Sequence, residues 1–240
     1  SLEKRQTIKK VTQMREKIFK PSKTEDYAIK LIPYNMRNIL SIGISTGCSA
    51  EVRMAKRYAS TRIIATTIDP EGKDYSKRVV AKYGLTKQIQ VKLEDVREPM
   101  PYPDEIFDLV YARLVLHYLT FADFEKALKE IYRVLRPGGW FYIVMRSIRE
   151  RHLKKMNPSY DPNTNLITYT TPYGQTLKRQ FFDEEELVDI LSDHGFKIAQ
   201  TKTFREKLYI DFQRTKENKY KNKLIAIVAY KPKPDGAYID

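Results

Sequence analysis

From residue 36 onward, short β-branched runs alternate with stretches whose apolar residues recur at helical spacing. Ile39, Leu40 and Ile42 mark a first buried strand, and residues 63–68, 89–93, 107–112 and 140–145 mark four more. A helix from Ser49 to about Ala59 carries Ala50, Met54, Ala55 and Tyr58 on one side. Between the fourth and fifth strands Phe124, Ala127, Leu128, Ile131, Val134 and Leu135 repeat the same spacing, ended by Pro137-Gly138-Gly139. This order predicts an α/β fold, a parallel sheet covered by helices. Further on, Asp183 and Glu186 form a capping pattern ahead of Leu187, Val188, Ile190 and Leu191, and the helix stops at Gly195. Two last strands fall at about 196–204 and 224–230, joined by the lysine-rich segment 216–223. Residues 166–171 and 176–182 flank Pro172-Tyr173-Gly174-Gln175 and predict a hairpin, placed where an α/β sheet binds ligands.

The chain divides into a basic, helix-compatible segment at 1–35, with Ile8, Val11, Met14 and Ile18 on one face, and one domain at 36–240 with a hairpin insertion at about 150–182. The first segment is expected as a lid or as a docked amphipathic helix. At 42% hydrophobic residues the 240-residue chain can bury a core. Its apolar runs are too short to span a bilayer and no signal-peptide core opens it, so the expected location is cytoplasmic. A single cysteine, Cys48, excludes an internal disulfide framework, and His117, His152 and His194 lie too far apart to suggest a metal site. No pattern in the chain fixes an oligomeric state.

The net charge of +14 is uneven. Residues 1–30 and 146–180 each carry an excess of five positive charges and 197–240 an excess of six, while 181–196 carry six acids and no base. The excess thus lies outside the first strands, where it would meet an anionic partner or serve solubility.

Candidate chemistry starts at Gly43-Ile44-Ser45-Thr46-Gly47, a small-residue turn between a strand and a helix N-terminus, which leaves no bulk between backbone and ligand. The second strand ends in Ile68-Asp69-Pro70, where a carboxylate can accept hydrogen bonds from both hydroxyls of a ribose. The third ends in Glu94-Asp95-Val96, an acidic pair placed to reach an adenine amino group. A dinucleotide would prefer a third glycine where Cys48 stands, and no second catalytic domain follows residue 150.

In their order these motifs resemble the class I S-adenosylmethionine-dependent methyltransferases, from about Met36 to Tyr230. Ile39 to Gly47 is similar to the family's first motif, Ile68-Asp69-Pro70 to its ribose-binding acid and Glu94-Asp95-Val96 to its adenine-contacting pair. The stretch from Pro99 to Val110, then Leu116-His117-Tyr118-Leu119 and Val134-Leu135-Arg136-Pro137-Gly138-Gly139 match the fourth strand, the turn after it and the turn before the fifth. Phe181 to Leu187, with Gly195-Phe196, resembles the closing helix and sixth strand of the small-molecule branch. The resemblance implies a Rossmann-like, doubly wound sheet of seven mostly parallel strands with an antiparallel last strand and helices on both faces. It implies S-adenosyl-L-methionine as cofactor, held by Ser41, Gly43, Ile44, Ser45, Gly47, Asp69, Pro70, Asp95, Val96 and Arg113. Ser41 stands where the family has an acid that helps hold the cofactor's amino acid moiety, and Ser45 replaces the middle glycine.

Methyl transfer from a sulfonium is an in-line displacement, so positioning supplies much of the acceleration, and a base is needed only for a protonated nucleophile. His117 is placed to be that base, Tyr118 to touch the substrate and Arg146, at the exit of the fifth strand, to meet an anionic one. The signature of base-amine methylation is absent, Ala112-Arg113-Leu114-Val115 standing in its place, and Cys48 is not placed for pyrimidine C5 chemistry. The expected acceptor is a small-molecule N or O nucleophile. RNA is the alternative, cap-guanine-N7-like or tRNA, because Leu116-His117-Tyr118 also resembles that branch and the basic segments suit a phosphate backbone. A non-catalytic cofactor-binding domain is the third reading, motivated by Ser41 and Ser45.

Overall fold

The computed structural model describes residues 20, 22–33 and 35–234. Its main sheet has the strand order β10-β11-β5-β4-β1-β2-β3. These strands are β1 (Asn38–Ile42), β2 (Arg62–Thr67), β3 (Ile89–Leu93), β4 (Phe107–Arg113), β5 (Leu135–Ser147), β10 (Lys197–Glu206) and β11 (Asn222–Tyr230). The first five pair in parallel, while β11 runs antiparallel to both β5 and β10. The predicted sheet of seven mostly parallel strands with an antiparallel last strand is therefore present.

Helices α1 (Lys23–Leu31), α2 (Ser49–Arg57) and α3 (Pro70–Lys82) contribute to one hydrophobic layer, and α4 (Phe121–Val134) and α5 (Glu184–Asp193) to another. The two-residue period of a strand sorts the core between them: on β11, Ile225, Ile227 and Ala229 join the second layer, whereas Leu224, Ala226 and Val228 join the first. Asp183 and Glu186 close the capping box predicted for α5.

Four boundaries differ from the pattern. Strand β5 begins at Leu135, ahead of Pro137-Gly138-Gly139, because Leu135 already pairs with Phe107 before a register shift. Strand β2 stops at Thr67, which leaves Ile68 outside it and 67% exposed. The predicted hairpin forms as β7 (Leu166–Thr170) and β8 (Thr176–Arg179), joined by an unforeseen third strand, β6 (Ser159–Asp161). Its second arm is shorter than expected: Phe181 and Phe182 leave it as β9 and pair in parallel with Arg146 and Ser147 of β5. Burying two phenylalanines beside the main sheet outweighs extending a hairpin arm that is half exposed.

The face predicted at Ile8, Val11, Met14 and Ile18 lies outside the described residues. The described helix of the N-terminal segment, α1, is docked on the core: Tyr27 packs edge-on against Phe204 at 5.2 Å, and Tyr142 donates from its hydroxyl to the Thr24 carbonyl at 2.6 Å. A buried network fastens its start. Glu206, at the end of β10, accepts from the Lys23 amide (2.7 Å), the Thr24 hydroxyl (2.6 Å) and Arg113 (3.4 Å). Breaking a buried charge network costs about 3–5 kcal/mol. Glu206→Ala is therefore expected to lower unfolding free energy by about that amount in urea titrations, and a loss below about 1 kcal/mol would show that apolar packing alone docks α1.

Candidate functional site

Five parallel strands end at one edge, so the segments that follow them converge: 43–47 after β1, 68–69 after β2, 94–96 after β3, 114–118 after β4 and 148–153 after β5. A cavity of about 780 Å³ opens there, lined by residues from each of those segments and roofed by the hairpin and by residues 208–222. That volume lies in the range of small-molecule and cofactor sites.

The turn after β1 bends as its glycines predict. Gly43 has φ +71°, and a β-carbon there would lie 2.5 Å from the Val115 side chain, so only glycine lets the turn approach the loop after β4. Behind the turn sits Glu51 from the first turn of α2, fully buried. It accepts from the Ser41 hydroxyl at 2.7 Å, the Ser45 hydroxyl at 2.6 Å and the Ser45 amide at 3.2 Å. Burial raises the pKa of this carboxyl, opposed by the two serine hydroxyls that favour its charged form. The two serines that depart from the resembled motif thus form one site with a carboxylate supplied by the helix. On the other side, Arg214 from the loop between β10 and β11 is buried, donates to the Thr46 carbonyl and hydroxyl at 2.9 Å each, and pairs with buried Glu25 of α1.

The cavity wall contains Gly43, Ile44, Ser45, Asp69, Asp95, Val96, Arg113, His117, Tyr118 and Arg146 among the expected site residues. Ser41, Gly47 and Pro70 are not part of it. Ser41 is buried behind the turn on Glu51, Gly47 is buried within the short turn of 3-10 helix at Thr46–Cys48, and Pro70 opens α3. Asp69 lines the cavity and caps α3, its Oδ1 accepting the Glu71 amide at 3.0 Å. Asp95 holds a bidentate pair with Arg97, whose Nε lies 3.0 Å from both oxygens and whose terminal nitrogen donates to Oδ2 at 2.5 Å, and this pairing lowers its pKa. Arg113 touches the cavity, but its guanidinium is committed to Ser22, Thr24 and Glu206.

Beyond the turn, Leu114 takes a left-handed φ of +54°, which swings residues 115–118 across the end of the sheet. His117 is 1% exposed, and neither ring nitrogen has a hydrogen-bond partner in the protein. Burial first, then Arg146, Arg179 and Arg113, push its pKa well below the ordinary histidine range, so it is neutral at pH 7. Arg146 is pushed down to about 10, mainly by burial and then by Arg179.

The sequence pattern did not single out Glu51, Arg179, Glu150 or the lining contributed by residues 208–222. Glu51 had a signal: an acid two residues into a helix that follows a turn lacking its usual carboxylate. Arg179 had none, because it enters the cavity through the Gln180 amide and side chain, which donate to the His117 and Leu119 carbonyls at 2.7 Å each.

Residues 40–143 match the family model described as a methyltransferase domain. Over these residues the chain carries a methyltransferase domain. It is 32% identical over 117 residues to a demethylmenaquinone methyltransferase of Chlorobaculum tepidum, a match covering 45% of this chain and 48% of that protein. It is 27% identical over 156 residues to the ajmaline N-methyltransferase of Rauvolfia serpentina, covering 65% and 50%. The chain thus spans about half the length, or less, of the known relatives it matches. In fold it resembles an S-adenosylmethionine-dependent methyltransferase of Methanosarcina mazei, with TM-score 0.68, 21% identity and coverage of 85% and 96%. It also resembles the cyclase SpnF, with TM-score 0.63, 20% identity and coverage of 88% and 81%. Domain and fold imply S-adenosylmethionine as the cofactor, and the donor set fits it. The backbone of residues 43–46 offers a cradle for the amino acid end, the Asp69 carboxylate a ribose acceptor, and Ile68 and Val96 apolar surface for adenine. Among the described residues no helix is long and apolar enough to cross a membrane.

Two expectations follow from this geometry. Asp69→Asn keeps a capping oxygen but loses the charge, so S-adenosylhomocysteine affinity measured by calorimetry is expected to fall about tenfold or more with thermal stability nearly unchanged. The unfolded chain holds the His117 proton more tightly than the folded one. Its contribution is therefore neutral above about pH 6.5, and stability is lost below it at up to about 1.4 kcal/mol per pH unit until the lowered folded pKa is reached. Melting temperatures between pH 7.5 and 5.5 should fall less in His117→Gln than in the parent, and equal slopes would contradict a buried neutral imidazole.

Proposed function

We propose that the protein is an active methyltransferase that moves a methyl group to an N or O nucleophile of a small molecule. The observation that carries this reading is one continuous cavity, running from the Gly43 turn and Asp69 to His117, Tyr118 and Arg146 under a hairpin roof. When bound, S-adenosylmethionine supplies an electrophilic methyl on sulfur. The protein's part is to place a lone pair in line with that methyl, to keep water away and to receive a proton where the nucleophile carries one. His117 lines this cavity with a neutral ring, and burial together with Arg146, Arg179 and Arg113 disfavours its protonated form, so it is a weak proton acceptor that serves the placing of the nucleophile first. Tyr118, on the same turn, presents its ring at the cavity mouth, 53% exposed, and fixes the roof by accepting from Arg179 at 3.0 Å.

Arg146 and Arg179 face the cavity, so part of the basic excess of residues 146–180 is available to a buried ligand and not to a phosphate backbone. The Glu51 pairing with Ser41 and Ser45 supports a competent cradle over a degenerate one. Relatives named as menaquinone, sterol and ajmaline methyltransferases favour the small-molecule reading.

The test is methyl-labelled cofactor incubated with a cell extract, with and without nuclease treatment. Label in low-molecular-weight material, unchanged by nuclease, is the expected result. Label confined to nuclease-sensitive polymer would replace this reading with the RNA one, and no label in any fraction would leave a binding domain.

A further inference from the structure

We propose that the acceptor half of the cavity is a carboxylate seat formed by Arg146 and Arg179, and that the substrate is a small monoanionic acid with an apolar body. The inference rests on the methyltransferase reading and names the class of acceptor.

The fold builds the seat from two distant segments. Arg146 lies near the end of β5, where its backbone pairs with Phe181 of β9. Arg179 ends β8 two residues earlier, and Gln180 pins the chain between them onto the His117–Leu119 turn. Both guanidinium groups therefore meet beside His117.

Each of them carries an unpaired Nε and few partners for its terminal nitrogens. Arg146 is 7% exposed; one terminal nitrogen donates to Asn222 Oδ1 at 2.7 Å, while its Nε has no partner. Arg179 gives its terminal nitrogens to the Tyr169 and Tyr118 hydroxyls and lies 5.0 Å from the Tyr118 ring centre, and its Nε also has no partner. Buried, unpaired guanidinium N–H groups are costly, and two repelling cations that both line one cavity are costlier still. Tyrosine hydroxyls orient them without cancelling their charge. Neither Nε touches solvent, so an anion in the cavity would meet the terminal nitrogens, in the planar geometry that arginine offers a carboxylate.

Charge and shape narrow the ligand. Glu150 lines the same region, with its carboxylate turned to the His152 and Lys223 amides, so these three ionised groups sum to one positive charge. A carboxylate balances it, whereas a phosphate monoester dianion overshoots. Leu153, Met156, Leu177 and Phe181 offer apolar surface for the rest of the molecule.

Calorimetric titration of the protein, with and without S-adenosylhomocysteine, should compare benzoate and octanoate with benzamide, octanamide and phenyl phosphate. At least one carboxylate is expected to bind tenfold or more tightly than its own amide. Arg179→Gln, chosen because Arg146 is buried deeply enough to endanger folding, should abolish that ratio, Arg179→Lys should restore part of it, and S-adenosylhomocysteine affinity should stay within about twofold. Carboxylates no tighter than their amides, phenyl phosphate tighter than benzoate, or a ratio unchanged in Arg179→Gln would each overturn the proposal. Failure to bind S-adenosylhomocysteine would instead overturn the cofactor reading, since the carboxylate arm is read without it as well.

Discussion

The turn at residues 43–47 is held from both sides by buried charge, and the site depends on that clamp. Glu51 draws Ser41 and Ser45 together from behind, while Arg214 grips Thr46 from the loop between β10 and β11. Glu25 ties the two sides to α1 through Arg214 and the Ser49 hydroxyl. None of these charges is solvated, so each must keep its partners, and the partners come from β1, α1, the turn at 45–46, α2 and the loop between β10 and β11. A backbone cradle made of small residues has little packing of its own. Its shape is fixed by what surrounds it.

The same logic divides the cavity into unlike halves. Around the turn, acids and arginines are paired: Arg113 with Glu206, Asp95 with Arg97, Glu94 with the Tyr102 hydroxyl. Around His117 they are not, because Arg146 and Arg179 are backed by an amide and by tyrosines and both imidazole nitrogens are bare. Unneutralised charge in a buried place is a cost to folding that a ligand can relieve, which makes the second half the place where specificity is written.

Period and turn chemistry made the sheet legible, because seven strands and the helices α2, α4 and α5 each bury a regular face, and such faces leave a pattern in one dimension. Asp69, His117 and Arg146 were legible for a related reason: each stands next to a strand end, and strand ends converge in a parallel sheet. Arg179 was not, since its approach to the cavity depends on where the hairpin arm breaks, and that is decided by Phe181 and Phe182 finding the edge of β5. Glu51 and Arg214 escaped for another reason. A buried charge reads as a surface charge until its partners are known.

Ser41 and Ser45 illustrate the difference between position and chemistry. Taken position by position, they are two losses from the motif this chain resembles, one of charge and one of space. Taken with Glu51, the charge has moved from the strand to the helix that faces it, and the two hydroxyls are its ligands. Ser45 also accepts the Ala50 amide at 3.1 Å, so the same hydroxyl that holds Glu51 secures the start of α2. A glycine at 45 would lose both bonds, and an acid at 41 would stand against the Glu51 carboxylate in a dry interior. The three residues are therefore one solution to one electrostatic problem, and restoring any single position to the usual motif would break it.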